Sequence, residues 1–276
     1  MLILAATPIG NLSDASQRLR ELLAHADYLA AEDTRVVKQL ATALGIKLHA
    51  KLFSLHEHNE SERLAQLTEI AQSKDLVVVS DAGMPTVSDP GFQLVRLAAA
   101  EGIEITVVPG PSAVLAALAV SGLPTDRFTF EGFLPRKQGD RRRAFTDLLT
   151  ERRTMIFFEA PHRILDSLED AAEVFGSDRK ASVSRELTKK FEHTERGTLA
   201  HLIEWAKTEP KGEMVLVIAG GQERTVQAGS LVEQVVALAA SGTGLKQAVA
   251  EIASANGVSK SELYSLTLEA RTRDAR

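Results

Sequence analysis

Short apolar runs, each halted by a turn and followed by an amphipathic stretch, set the rhythm of the first part of the chain. Leu2–Ala6, Tyr28–Ala31, Lys51–Leu55, Val77–Val79 and Glu104–Val108 are too short for helices, and most are apolar enough to be buried strands. Between them, residues 14–24, a stretch running to Leu44, residues 61–73 and residues 91–101 space their apolar positions as helices do. Ser13 or Asp14 is expected to cap the first helix, Gly45 to stop the second, and Asn59 or Ser61 to cap the third. This alternation predicts βαβ units and a parallel sheet.

A helix over residues 111–122 breaks at Gly122-Leu123-Pro124, which sets the end of a first domain, 1–122. The second, 123–221, reads as strand Phe128–Phe133, a helix through Thr150, strand Thr154–Phe158 and helix His162–Phe175. Ala181–Arg185 and Phe191–Arg196 then suit an antiparallel pair, followed by helix Leu199–Lys207 and strand Met214–Ala219. These elements predict an α/β domain with a mixed sheet. Residues 222–230 are polar and linker-like, and the rest, to 276, carries no strand signal. Leu231–Ala240, Leu245–Ala255 and Ser259–Glu269 read as helices, the last two joined at Gly257 in a helix-turn-helix-like pattern. Because Ser259–Ala270 offers only Lys260 as a base, helix packing is the expected role of this domain.

Composition narrows the possibilities. The 276 residues are 44% hydrophobic and 25% charged, ordinary values for a globular chain. The absence of cysteine excludes disulfides, thiolate catalysis and cysteine-bound zinc, and fits a cytoplasmic setting. The apolar runs are too short for a signal peptide core or a bilayer span, so no membrane association is expected. A net charge of -5 argues against coating nucleic acid over the whole surface. Residues 136–153 run the other way, with Arg136, Lys137, Arg141, Arg142, Arg143, Arg152 and Arg153 facing only Asp140, Asp147 and Glu151.

The candidate chemistry lies where strands end. Residues 77–91 give a stiff valine run and then an irregular loop, Ser80-Asp81-Ala82-Gly83-Met84-Pro85, continuing to Ser88-Asp89-Pro90-Gly91. Thr7-Pro8-Ile9-Gly10-Asn11, Pro109-Gly110-Pro111-Ser112 and Glu159-Ala160-Pro161-His162 repeat the device, so a ligand site built largely from main chain is expected at the strands' carboxyl ends. The first loop lacks the glycine spacing of a dinucleotide fingerprint, there is no phosphate-loop Gly-Lys-Ser/Thr, and no HExxH or carboxylate cluster predicts a metal. Acid and base candidates at these ends are Glu32, Asp33, His56, Glu57, His58 and Glu159, each taken singly better suited to a helix cap or an ion pair.

The loops occur in a fixed order, with Ala31-Glu32-Asp33-Thr34-Arg35, Phe158-Glu159-Ala160-Pro161-His162-Arg163 and Ser184-Arg185-Glu186-Leu187-Thr188-Lys189 among them. The set resembles the tetrapyrrole methylase superfamily over residues 1–221 and, within it, the small-subunit ribosomal RNA methyltransferase I family. That resemblance implies two α/β domains with a cofactor cleft between them, plus a small C-terminal helical domain. It implies S-adenosyl-L-methionine as cofactor, and 2'-O-methylation of a cytidine in the decoding region of small-subunit rRNA, free or in the assembled subunit. A homodimer is implied too. By motif match, cofactor contacts fall on Pro8, Asp81, Ala82, Gly83, Met84, Val87, Ser112, Ala113, Phe158, Leu187, Gly212 and Glu213. Met84 departs from the family, which more often shows threonine there. Asp81 is read first as a brace for backbone N–H groups and second as partner of the methionine ammonium. Asp33 with Arg35 and His58 with Asn59 form the preferred acceptor-side group. Arg136, Lys137, Arg141, Arg142, Arg143, Arg163, Arg185 and Lys189 are the candidates for RNA phosphate. A tetrapyrrole or diphthamide-type methyltransferase, or a non-catalytic rRNA-binding assembly protein, stays open on the sequence alone.

Overall fold

The computed structural model describes residues 1–56, 58–221, 228–256 and 258–274, the side chains of residues 273 and 274 excepted. The described chain forms two compact units, Met1–Gly221 and Gln222–Arg276. The first unit holds both sheets, and the expected boundary at residue 122 falls between them in chain order.

The first sheet consists of β1 (Leu2–Ala5), β2 (Tyr28–Ala31), β3 (Lys51–Ser54), β4 (Leu76–Val79) and β5 (Ile105–Val108). Its order is β3-β2-β4-β1-β5 and every pairing is parallel, as the alternation of elements requires. Helices α1 (Gln17–His25) and α2 (Thr34–Ala43) cover one face through Leu19, Leu23 and Val37. The other face takes α3 (Glu60–Ser73) and α4 (Phe92–Ala100) through Leu67, Ala71, Leu94 and Ala98. Burial on both faces explains why β4 is an unbroken Leu-Val-Val-Val.

The start of α1 corrects the expected cap. Residues Leu12–Asp14 form a separate 3₁₀ turn, and the Ser16 hydroxyl, not Ser13 or Asp14, accepts the N–H of Leu19. Asn59 precedes α3 but makes no cap bond, because its side chain is used elsewhere.

The second sheet consists of β6 (Phe128–Phe133), β7 (Thr154–Glu159), β8 (Lys180–Arg185), β9 (His193–Thr198) and β10 (Met214–Ile218). Its order is β6-β7-β10-β8-β9; β6 and β7 are parallel and the remaining pairs antiparallel, so the sheet is mixed. The second strand of the hairpin starts two residues later than the sequence suggests, since residues 186–192 form the connection between β8 and β9. Helix α5 (Ala113–Ser121) belongs to the first half in chain order. It packs Val114, Ala117 and Leu118 on Ile156, Val215 and Val217 of the second sheet. The opposite face is covered by α6 (Gln138–Asp147), α7 (Ile164–Phe175) and α8 (Leu199–Ala206) around Phe145, Phe157, Leu168 and Leu202.

The second unit contains α9 (Val232–Ala240), α10 (Leu245–Asn256) and α11 (Lys260–Asp274) around Val235, Ala248, Val249, Ala253 and Leu263. The expected turn glycine, Gly257, and part of the expected linker, residues 222–227, lie outside the described residues. Among the described residues no helix is long and apolar enough to cross a membrane.

Candidate active site

The loops after β1 and β4 are joined by main chain. Thr7 N–H donates to the Gly83 carbonyl at 2.8 Å and Gly83 N–H donates back to Thr7 at 3.1 Å. Thr7 Oγ1 donates to the Ser80 carbonyl at 3.3 Å, and Ser80 Oγ donates to that of Gly83 at 3.2 Å. Gly83 sits at φ +86, and a Cβ there would stand 3.3 Å from Ile9 Cγ2, so both backbone and space call for glycine. Further on, Thr86 and Ser88 also have positive φ, at 76 and 61. Such residues cost about 1–3 kcal/mol each, a reserve of strain typical of ligand loops. Glu60 holds the end of this loop, its Oε1 accepting the N–H groups of Gly91 at 3.2 Å and Gln93 at 2.9 Å.

A second strained loop leaves β8. Glu186 and Thr188 have positive φ on either side of buried Leu187. Lys189 ties this loop to the entry of β10, its Nζ 3.1 Å from Glu186 and 2.9 Å from Glu213. Gly212 is pressed against Glu186 so closely that a Cβ would land on that side chain.

Between the two loops lies a cavity of about 370 Å3, lined by Ile9, Ala82, Ala113, Phe133, Phe158 and Leu187 together with residues 159–161 and 213–215. Phe158 is held edge-on by Phe130 and Phe133, with ring centroids 4.9 and 5.3 Å away. The walls are apolar side chains and peptide groups, which suits a flat heterocycle with a few directed hydrogen bonds. A larger cavity of about 480 Å3 opens at the amino end of the first sheet beside Met1, His25 and Asp75. It gathers none of the strained loops, and open α/β sheets bind ligands at the opposite end.

Of the expected cofactor contacts, Ala82, Ala113, Phe158, Leu187 and Glu213 line the cavity itself. Pro8, Asp81, Gly83, Ser112 and Gly212 each adjoin a lining residue in the same loops, whereas Met84 is two residues from Ala82 and Val87, 41% exposed, is further off, both outside the lining. Ser112 caps α5, its hydroxyl accepting Leu115 N–H at 3.5 Å. Asp81 acts as a brace, Oδ1 accepting the main-chain N–H of Asp33 at 3.1 Å. Ile9, Phe133, Met214 and Val215 were not singled out in the sequence, where they read as ordinary strand and turn residues.

The acid residues separate by environment. Asp33 caps α2, accepting Arg35 N–H at 2.8 Å, and grips the Arg35 guanidinium with both oxygens. Those hydrogen bonds from Arg35 lower its pKa to about 2, so it is a weak base at neutral pH. Glu159 is sealed in: it accepts from Ser167 Oγ at 2.5 Å and pairs with Arg163. Asp89 is the opposite case. Burial, with the negative charge of Glu32 and then Asp81 nearby, raises its pKa to about 7 against the opposing hydrogen bond from Ser80. Sequence reading passed over Asp89; the available signal was the repeat of Ser80-Asp81 as Ser88-Asp89 within one loop.

Asn59 closes the turn after β3, its Oδ1 accepting His56 N–H at 2.8 Å and its Nδ2 donating to Ser54 at 3.1 Å. His58 is exposed, edge-on to the His56 ring at 6.1 Å, and Glu57 lies outside the described residues.

The basic segment is corrected in part. Arg141 is 3% exposed and bound to buried Asp170 at 2.6 Å, so it locks α6 to α7 and is not presented to phosphate. Arg142 bridges Asp170 and Glu173, and Arg163 is turned inward onto Glu159. Arg136, Lys137 and Arg143 are exposed; Arg185 is half-buried and donates Nη1 to the Lys211 carbonyl at 3.3 Å.

The family model for Tetrapyrrole (Corrin/Porphyrin) Methylases matches residues 1–203. A Ribosomal RNA small subunit methyltransferase I from Mycobacterium tuberculosis is 45% identical over 98% of this chain and 95% of its own length. One of the same name from Escherichia coli O157:H7 is 43% identical over 97% and 94%. Among solved structures, the methyltransferase CobJ aligns with a TM-score of 0.57 at 20% identity, over 80% of this chain and 94% of that one. A diphthine synthase aligns with a TM-score of 0.57 at 16% identity, over 79% and 89%. The structural likenesses speak for the fold; the sequence likenesses run nearly end to end.

Proposed function

The chain belongs to the tetrapyrrole methylase family, and from that premise we propose that it is an S-adenosylmethionine-dependent methyltransferase that methylates a cytidine 2'-oxygen in the decoding region of small-subunit rRNA. The observation that carries this reading is the 43–45% identity, over nearly the full length of both chains, with relatives named for small-subunit rRNA methylation.

The cavity fits the cofactor. Phe158 and Leu187 offer apolar surface for an adenine ring, the main chain at Ala82 and at Ala113 offers hydrogen-bonding groups, and Asp81 brings a carboxylate next to Ala82. When bound, S-adenosylmethionine supplies an electrophilic methyl carbon next to a positively charged sulfur. The protein's part is to hold the ribose hydroxyl in line, which is worth roughly 7–11 kcal/mol in favourable cases. It also receives the hydroxyl proton; Asp89, set near Ser80, Asp81 and Glu32 in the loops at the carboxyl ends of β2 and β4, is our assignment for that role, and its pKa of about 7 suits a base. Asp33 and Arg35, with His58 and Asn59, then act on the acceptor side by shaping the loops after β2 and β3. Exposed Arg136, Lys137 and Arg143 attract rRNA phosphates. Cytoplasmic residence and a homodimer complete the proposal; Leu12, Phe92 and Leu115 are exposed apolar side chains that a second copy would cover.

Transfer of labelled methyl groups to unmodified small subunits, free rRNA and small tetrapyrroles tests the reading. Labelled 2'-O-methylcytidine in rRNA is the expected product. Label only in a small acceptor, or none anywhere from folded protein, overturns it. Sedimentation equilibrium checks the dimer.

A further inference from the structure

Apart from the cofactor cavity, a second cavity of about 420 Å3 opens where β8, β9 and the α8–β10 connection meet. Its size is ordinary for a ligand site, roughly 300–1,000 Å3. Arg185, His193, Trp205, Glu209 and Lys211 line it. Trp205 is the chain's single tryptophan, half-buried with its inner side on the core of the second sheet. The His193 ring stacks beside it, centroids 6.2 Å apart and planes within 26°.

That ring is fixed from behind. Glu195 accepts from His201 Nε2 at 2.6 Å and contacts His193 Nε2 at 2.9 Å, so one carboxylate orients two imidazoles. The same bonds, from His201 first and His193 second, lower the pKa of Glu195. The neighbouring ion pairs are those of Lys189 with Glu186 and Glu213, and they leave Arg185 and Lys211 out.

The position matters as much as the composition. Arg185 and Lys211 line this cavity while Leu187 and Glu213, two residues on in each strand end, line the cofactor cavity. The two spaces therefore share residues 185–187 and 211–213 as one wall. An immobilised aromatic step with two cations at its rim is what a single-stranded nucleotide needs: a face for the base and positive charge for its phosphate.

Resting on the functional reading above, we infer that this cavity holds a nucleotide flanking the methylated one, its base on the Trp205–His193 step and its phosphate between Arg185 and Lys211. Stacking there fixes the strand so that the neighbouring ribose reaches over the shared wall toward the cofactor.

Two measurements on the full chain test this. Trp205 emission is titrated with a cytidine hexaribonucleotide whose binding is followed in parallel by anisotropy, and methyl transfer to small subunits is measured for Trp205→Phe, Trp205→Ala and Lys211→Ala. We expect saturable quenching on the same curve as the anisotropy. We also expect Trp205→Ala to raise KM for the subunit roughly 5- to 100-fold, with Trp205→Phe near wild type. Lys211→Ala should flatten the dependence of log affinity on log salt by about 0.7. S-adenosylmethionine affinity by calorimetry stays unchanged in all three. Unquenched emission with RNA fully bound, or unchanged KM and salt slope in a folded Lys211→Ala, overturns the inference and leaves the methyltransferase standing. Absence of methyl transfer by wild type would fell both.

Discussion

Asp33 and Asp89 lie in loops at neighbouring strand ends, yet their surroundings drive them to opposite behaviour. The Arg35 clasp keeps Asp33 ionised, whereas Asp89 shares a partly dry loop with other acids and holds its proton up to about pH 7. A folded-state pKa raised above the unfolded value means stability that is complete below the usual aspartate range and is lost as pH rises through about 7. Asp89→Asn should remove that loss. Thermal melts at pH 5 and pH 8 check it, the variant gaining at pH 8 on the order of 1 kcal/mol after allowance for solvent, about 2–4 °C. The same variant should lower kcat/KM by about 100- to 10,000-fold and erase the limb of the pH profile near 7. Arg141 offers a second contrast: Arg141→Ala removes one of the two arginine partners of buried Asp170, leaving Arg142, and should cost roughly 1.5–3 kcal/mol, with melting lowered by about 4–10 °C. Arg143→Ala, at an exposed neighbour, should leave melting alone and weaken RNA binding in a salt-dependent way. The sequence alone could not separate these two arginines, because charge is written in the residue type and its partner on α7 is not.

Elements were far more legible than side-chain roles. The five strands of the first sheet and their parallel order follow from apolar runs alternating with helices, and β6 matches its expected span. What escaped was local. Asn11 and Ser16 divide the start of α1 between a 3₁₀ turn and a helix cap, a choice set by side-chain oxygens that accept the N–H groups of Ser13 at 3.0 Å and Leu19 at 3.1 Å. Likewise α5 reads as the last helix of the first half, and only tertiary packing reveals that its apolar side serves the second sheet. The loop at the end of β4 shows how an element depends on one backbone angle. Gly83→Ala at φ +86 should cost about 1–2 kcal/mol and push against Ile9, weakening S-adenosylmethionine binding about 10-fold by calorimetry while leaving the far-ultraviolet circular dichroism unchanged.

At the level of the whole chain, the cofactor loops, both sheets and the tryptophan cavity all belong to Met1–Gly221. A fragment ending at Gly221 should therefore fold and bind S-adenosylmethionine within about threefold of the full chain, about 0.6 kcal/mol by calorimetry. A tenfold loss would assign part of that binding to the helical unit. Strand β10 runs against both β7 and β8, so it is its entrance, and not its exit, that borders the reaction chamber. On the proposed reading the donor is held mostly by turns that leave strands, and the neighbouring stretch from 207 to 211 belongs to the connection that arrives at β10. If the second cavity holds the acceptor strand as proposed, swapping or lengthening that arriving segment would reshape what is admitted without disturbing a rung of either ladder, and acceptor choice would be a separately adjustable part of this architecture.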